Sequence, residues 1–507
     1  MNIKPTLRLS TLAAAVAGAM MLSGCATHSD KLGFAENEGT KTYAQAYEPA
    51  RQMLQLGQWD VMRAKLAENS SREVKDKTQA EDGEVRETVR TETLSNDEEM
   101  ERLIKEQSEL AIVERGLLTL NVGDFERALF YFNAAEEKLG LTETDDSISS
   151  AASKYGKAGL SVLLGSEEMA NYELRGYEKV MLLNYKALCY MLMGDRKAYN
   201  VTRRAIDLQQ EEWEKFKQLL AENEAKQDKM NASNSRNVST KDVDDRTEDV
   251  KRKAGLVTSA YVNPFGDYLN AMMMEFDGFD DPEIRQNAKI AYKKVVENNS
   301  DCGAAKNALN TVERGLPRNQ KMVQILLSDG FAPYQVEQTK VFPIKVDNRV
   351  INAVVNYSNA TPVATNTVGA SVKAAGKTTK LSSLTRMESL ILRDEQDRLP
   401  MRATMYALAL LRSATTGALL GNLGSSLAGS MQHPDTRSWL TLPNQVFVAR
   451  IAVPKNQKTI QLQTFDLEGK PLASKEVKLA NNGPTVVYAV SYDQNIQAYA
   501  NAFSWVD

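Results

Sequence analysis

Residues 112–139 read IVERGLLTLNVGDFERALFYFNAAEEKL, from Ile112 to Leu139. Apolar positions recur at intervals of three and four on both sides of Gly123-Asp124, the pattern of two helices joined by a tight turn. Gly116 and Ala128 are small where two antiparallel helices approach. Gly123 and Asp124 make the turn, and Phe125 and Phe132 fill the space between the helices. One such hairpin cannot bury its own apolar face, so the reading requires further helical pairs stacked beside it.

Weaker copies flank it. Tyr185 to Asp207 repeats the first helix and the turn with Ala187, Tyr190, Gly194 and Asp195, but Tyr199 stands where a small residue is expected, which predicts an irregular second helix. Asn270 to Asn298 supplies Ala271, Ala288 and Tyr292 around a longer turn, Asp277 to Pro282. Ala50, Gly57 and Trp59 form a looser version. The spacing of Gly116, Gly123, Asp124, Phe125, Ala128, Phe132 and Ala135 is that of a tetratricopeptide repeat. Residues 43–312 are therefore expected to be a tetratricopeptide-like helical array with a concave groove, and Met272 to Met274 to be packing residues. Two polar stretches, 69–98 and 222–250, interrupt it. They are expected to be solvated helix extensions or disordered insertions, with disorder over 231–240, which has no apolar face.

From Met322 the pattern changes. Met322 to Leu327, Val341 to Val346, Val350 to Tyr357, Val446 to Val453, Thr459 to Asp466, Lys475 to Leu479 and Thr485 to Ser491 are short and rich in β-branched residues, the mark of strands. Leu467 to Lys470 is a hairpin turn. The chain is thus α+β, a helical array followed over 322–507 by an antiparallel β-rich domain with a helical insertion at about 384–429. Within that insertion 413–429 lacks charge, but its Ser, Thr and Asn residues and Arg412 argue against a membrane span and for a glycine-rich loop. Trp505-Val506-Asp507 does not carry the alternating, aromatic-ended pattern of an outer-membrane barrel strand.

The first 24 residues have the parts of an export signal: Lys4 and Arg8, the apolar run Leu12 to Leu22, then Ser23 and Gly24. Leu22-Ser23-Gly24-Cys25 resembles a bacterial lipobox. The resemblance implies cleavage between Gly24 and Cys25, and acylation of Cys25 as the attachment to outer-membrane lipid. Ala26, rather than an aspartate, follows the cysteine, which resembles sorting to the outer membrane. Residues 25–42 are polar, with Gly33 and Gly39, and suit a flexible tether, so the body is expected to face the periplasm. An oxidising compartment permits a disulfide between Cys189 and Cys302. The alternative is a buried thiol at Cys189 and a half-exposed one at Cys302.

The chain has 507 residues, 42% of them hydrophobic, 62 Lys and Arg against 66 Asp and Glu, and a formal net charge of −4. That balance argues against a surface built for nucleic acid. With His28 and His433 the only histidines, a multi-histidine metal site and a histidine triad have no material, and no cofactor-binding motif is present. His433 beside Asp435 reads as structural, and paired acids such as Asp280-Asp281 or Asp394, Glu395 and Asp397 as solvated charge. No catalytic residue is assigned. Residues 303–507 carry 22 basic and 14 acidic residues, a net +8, and residues 25–302 carry 38 and 52, a net −14. This asymmetry is expected to orient the two parts against each other or, alternatively, to present a basic face to an anionic periplasmic partner.

Arg175 to Leu188 running into Gly194-Asp195, Asn263-Pro-Phe-Gly-Asp-Tyr-Leu269, and Asp435 to Pro443 resemble a family of uncharacterised proteobacterial lipoproteins with tetratricopeptide-like helices. Asp329-Gly330 to Ala332-Pro333 resembles that family's junction between helices and strands. The resemblance implies an outer-membrane lipoprotein whose relatives tend to accompany lipoproteins resembling activators of penicillin-binding proteins. The function expected is a non-enzymatic, lipid-anchored scaffold for periplasmic or envelope proteins. The alternative is an accessory regulator of a cell-wall synthesis enzyme or envelope machine.

Overall fold

The computed structural model describes residues 43–68, 71–79, 85–141, 172–233, 239–278, 281–346, 349–408, 434–479 and 483–502. The signal segment, Gly24, Cys25, the tether, both histidines and the 413–429 stretch lie outside the described residues.

Helices α1 (Tyr43–Gln55) and α2 (Trp59–Glu68) open the helical half. The polar stretch after them is a correction to the expected solvated helix or disorder. β1 (Ser71–Gln79) and β2 (Val85–Thr93) pair antiparallel, Ser71 with Thr93 and Gln79 with Val85. Val74, Val85, Val89 and the threonines at 78, 88, 91 and 93 are β-branched, and their stiff side chains suit a pleated strand even where apolar content is low. Helix α3 (Asn96–Glu106) follows, started by a capping box between Ser95 and Glu98.

Helices α4 (Glu109–Asn121) and α5 (Phe125–Leu139) form the hairpin expected from the opening motif. α6 (Gly176–Met193) packs against α7 (Lys197–Ser233), which runs unbroken for 37 residues and so overturns the irregular helix expected there. Buried Ala198, Val201, Ala205 and Leu208 give α7 an apolar stripe at three- and four-residue spacing, and Tyr199 sits half-buried beside it. The second polar stretch is likewise more ordered than expected. α7 extends through Glu, Lys, Gln and Ala residues with high helix propensity, and α8 (Thr240–Val243) and α9 (Glu248–Ala254) follow; 234–238 lie outside the described residues. α10 (Pro264–Asp277) and α11 (Pro282–Asn298) form another hairpin, each with Pro in its first turn behind an Asn263 or Asp281 cap. α12 (Gly303–Thr311) closes the helical half.

The β half contains β3 (Gln320–Asp329), β4 (Tyr334–Val346), β5 (Arg349–Thr361), β6 (Gly369–Ala374), β7 (Lys377–Lys380), β8 (Ser382–Arg386), α13 (Met387–Asp397), β9 (Gln445–Pro454), β10 (Thr459–Phe465), β11 (Pro471–Lys478), β12 (Thr485–Tyr492) and β13 (Asn495–Ala502). A five-stranded sheet in the order β13-β12-β3-β9-β8 faces a four-stranded sheet β11-β10-β6-β7, and β4 and β5 form a separate ribbon. The sheet is not wholly antiparallel as expected. β12 runs parallel to β3, pairing Tyr488 with Leu326, which the long connection between these two strands permits. The insertion begins as strand β8 rather than helix and becomes helical at Met387, with residues 399–408 helical after it.

Strand β3 is buried on both faces. Met322 and Leu326 enter the helical core, while Val323, Ile325 and Leu327 join Val372, Ile460, Leu462, Val487 and Ala489 between the two sheets. Apart from Gln324, its run from Met322 to Leu327 is apolar, which fits a strand with no solvent side. One continuous core runs from Tyr43 through Phe132, Tyr185 and Trp439 to Tyr488, so the helical and β-rich parts share their interior. Among the described residues no helix is long and apolar enough to cross a membrane.

Candidate functional site

Two buried glutamates on the helices hold an extended segment of the β half. Glu114, in the middle of α4, accepts the backbone N–H of Leu440 at 2.5 Å and of Thr441 at 2.9 Å. Glu178, in the first turn of α6, accepts the backbone N–H of Trp439 at 2.9 Å and the Tyr172 hydroxyl at 2.7 Å. Trp439 is thereby seated edge-on to Tyr185, with ring centres 6.2 Å apart, and donates its indole N–H to Thr441. Hydrogen bonds from backbone amides to a neutral carboxyl are each worth about 0.5–1.5 kcal/mol. Burial pushes the Glu114 carboxyl up to about 8, against the opposing pull of its Thr441 and Leu440 bonds, and burial also raises Glu178. The segment Asp435 to Pro443 of the β half is thus an internal occupant of the helical surface.

Two ionic clusters tie the halves together further. Arg175 reaches Asp394 at 3.1 Å and Glu395 at 2.8 Å, and Arg398 and Arg402 bind the same two acids from α13 and the helical residues after it. Burial alone would raise Glu395, but Arg175 and Arg402 outweigh it and hold the carboxyl below its usual range. Arg450 of β9 pairs with Glu275 of α10, which also accepts from Tyr292 at 2.8 Å and Gln324 at 2.9 Å. The Arg450 pair follows the net charges of the two halves, whereas the Arg175 pairs run against them.

At the first hairpin Gly116 and Phe132 meet. A Cβ on Gly116 would stand 2.6 Å from the Phe132 ring, so α4 and α5 cross where only glycine fits. Phe132 and Ala128 are fully buried, and Phe132 stacks on Tyr185 of the next pair. Gly123 takes φ +85° and Asp124 caps α5 by accepting the N–H of Arg127. In the second pair Ala187 is buried, Tyr190 is half-buried and Gly194 ends α6 at φ +74°. Cys189 and Cys302 are free thiols, both fully buried, which settles the open disulfide and corrects the half-exposed placement of Cys302. Burial raises both thiols.

The turn of that first hairpin also borders a pocket. Arg63 of α2, Gly123, Asp124, Phe125 and Glu126 of the turn, Leu192 and Met193 at the end of α6, and Ala500 and Asn501 of β13 enclose about 640 Å³ open to solvent. Arg63 donates to the Val122 carbonyl and pairs with Asp60 at 3.0 Å. The Phe125 ring meets Tyr499 edge-on, with centres 5.7 Å apart, and the Tyr499 hydroxyl donates to the Asn121 carbonyl. Sequence reading singled out Gly123, Asp124 and Phe125 as packing residues only. Arg63, Leu192, Met193 and Asn501 carried no signal, because three helix ends and a strand far apart in sequence build this wall. Among the described residues no group of three or more His, Cys, Asp or Glu is placed to hold a metal ion.

Compared with known proteins, the chain matches no family, no curated protein and no solved structure.

Proposed function

We propose that the chain is a lipid-anchored scaffold of the outer membrane that faces the periplasm and holds protein partners through tetratricopeptide-like helical pairs. The observation that carries this reading is the solvent-open pocket where the α4–α5 turn, the end of α6 and β13 meet. Its volume of about 640 Å³ lies within the range of pockets that bury a small ligand or a few side chains, roughly 300–1,000 Å³. Phe125, Leu192 and Met193 supply apolar contact, and Arg63, Glu126 and Asn501 supply polar groups that fix orientation. Support for repeat-like pairs comes from the Gly116–Phe132 crossing and from the left-handed glycines that close the first helices of the first two pairs. Support for anchoring comes from Leu22-Ser23-Gly24-Cys25.

The test has two parts. Wild-type protein should be acylated and sediment with outer membrane, while Cys25→Ala should be soluble in the periplasm; two soluble, unacylated proteins would refute the anchor. A photo-crosslinking residue at Glu126 should capture a discrete envelope protein that the same residue at exposed Leu467, on the β10–β11 turn and outside the pocket lining, does not. Equal capture at both positions would refute the pocket as a partner site.

A further inference from the structure

The β6–β7 turn, the start of β3, the end of β9, the start of β10 and the end of β11 meet at one end of the paired sheets. Ladder pairing sets Gln320 opposite Pro454, Thr459 opposite Lys478, Gln461 opposite Lys373 and Ala374 opposite Lys377. Two loop bonds close this end: the Lys455 N–H donates to the Asn319 carbonyl at 2.9 Å, and the Leu479 N–H to the Lys458 carbonyl at 2.8 Å. Arg318, Lys373, Lys377, Lys458 and Lys478 are exposed there, and Lys455 is half-buried. Residues 317–321, 373–380, 454–459 and 477–479, which build this end, contain no Asp or Glu. The first acid met along these strands is Glu476, beside Gln461, and Glu313 upstream of Arg318 pairs instead with Lys289 at 2.6 Å. Among the described residues no acid pairs with any of the six cations.

From this charge and its placement we infer that this end of the β half docks on an anionic phospholipid surface. Three ladder steps of about 4.8 Å and a sheet separation of about 10 Å spread the cations over roughly 14 by 10 Å. That is too wide to close on one small anion, and it matches a surface that carries many. Five of the six are lysines, which act as point charges and do without the fixed bidentate geometry that favours arginine at a single phosphate or carboxylate. Each cation near an anionic bilayer adds to the attraction, and about four to eight together mark recognition of anionic headgroups. The same segments contain no aromatic residue, so they offer no ring on which sugars or bases could stack. None of the large apolar side chains exposed among the described residues lies in them, so the contact is adsorption onto headgroups without insertion. It rests neither on the scaffold reading nor on the acyl anchor.

Vesicle sedimentation tests it on protein spanning residues 25–507 with Cys25→Ala, which carries no acyl chain and keeps every described residue. It should sediment with vesicles of equal parts phosphatidylglycerol and phosphatidylcholine and stay in solution with phosphatidylcholine alone. Salt at about 1 M, where the screening length is about 3 Å, should release it. Lys455→Glu with Lys458→Glu should lower the partition coefficient at least about tenfold. Lys226→Glu with Lys229→Glu, the same charge change on exposed residues of α7, should leave it unchanged. Lys373→Gln with Lys377→Gln, across β10 from the first pair, should lower it in the same direction, and thermal unfolding of each variant separates lost binding from lost fold. Sedimentation with both kinds of vesicle alike, with neither, or equal losses from both charge reversals would overturn the inference. Retention on a soluble carboxylated polysaccharide without vesicle binding would overturn it in favour of a polymer partner. Vesicle binding with no captured envelope protein would leave this inference standing while the scaffold reading fell.

Discussion

The Glu114 carboxyl accepts the backbone N–H of Thr441 at 2.9 Å across 327 residues of sequence. The helical half thus grips the β half through a main-chain contact that no side-chain exchange on the β half other than proline can remove. The first prediction concerns this grip and pH. Burial raises the Glu114 carboxyl from 4.5 to about 8, so the folded state holds a proton there that the unfolded chain releases. The Glu114 contribution to stability is therefore fully present below about pH 4.5, and is lost as pH rises through about 8, to the extent of a few kcal/mol. Glu114→Gln presents an amide to one of the two N–H donors. It should lower the melting temperature most at pH 5, and the gap to wild type should narrow toward pH 8.5. Thermal unfolding at the two pH values checks the sign.

Gly116 and Phe132 give the second prediction. Gly116→Ala drives a methyl into the Phe132 ring, and overpacking of this kind costs about 1–3 kcal/mol. Phe132→Leu in the same chain vacates the ring position, so the double variant should lose less than the sum of the two single ones. Urea unfolding of the four proteins provides the cycle, and strict additivity would mean that the two residues do not meet.

That contact is legible in the sequence, because a small residue at i and a bulky one sixteen positions on, across a Gly-Asp turn, encode a helix crossing locally. Strands β3, β4, β5 and β9 to β12 were legible for the same reason, with β-branched runs and turn residues side by side, whereas β6, β7 and β13 were not read and β8 begins where a helix was expected. The pairing of β12 with β3 was not legible, since period two places a strand in a sheet without choosing its neighbour. Glu114 was a missed sign: an acid beside Arg115, flanked by Ile112, Val113, Leu117 and Leu118 on a buried helix, requires a buried partner. The partner, a backbone amide of residue 441, leaves no trace in side-chain identity. The polar hairpin β1–β2 was misjudged because low apolar content was weighed above β-branching.

Arg175 supplies the third prediction. Among the described residues it is the one arginine that touches both Asp394 and Glu395 from the helical half, and removing one partner of a buried ionic group costs about 3–5 kcal/mol. Arg398 and Arg402 remain to share that loss, so Arg175→Met should destabilise by about 3 kcal/mol at pH 7, near the lower end of that range. Glu395 is held below its usual range by burial overcome by Arg175 and Arg402, so its contribution is present above about pH 4.5 and lost as pH falls through the lower folded value. The deficit of the variant should accordingly shrink in acid. A deficit that is constant with pH would place the cost in lost packing alone.

Cys189 and Cys302 lie on α6 and at the start of α12, both free and both fully buried. Burial raises each thiol, so little reactive thiolate forms near neutral pH, and access is closed as well. In Cys25→Ala protein, a thiol reagent should therefore label neither residue in the folded state and both on addition of denaturant, with labelling following the unfolding curve. Reduction should leave both the melting temperature and the non-reducing gel mobility unchanged, since no bridge links α6 to α12. A reagent that labels Cys302 in native protein would instead mean that α12 opens locally from β9, at a free energy below that of global unfolding. Hydrogen exchange at Lys306 and Ala308 would then be fast, whereas the packing of Ala304, Ala305 and Ala308 into the core requires it to be slow.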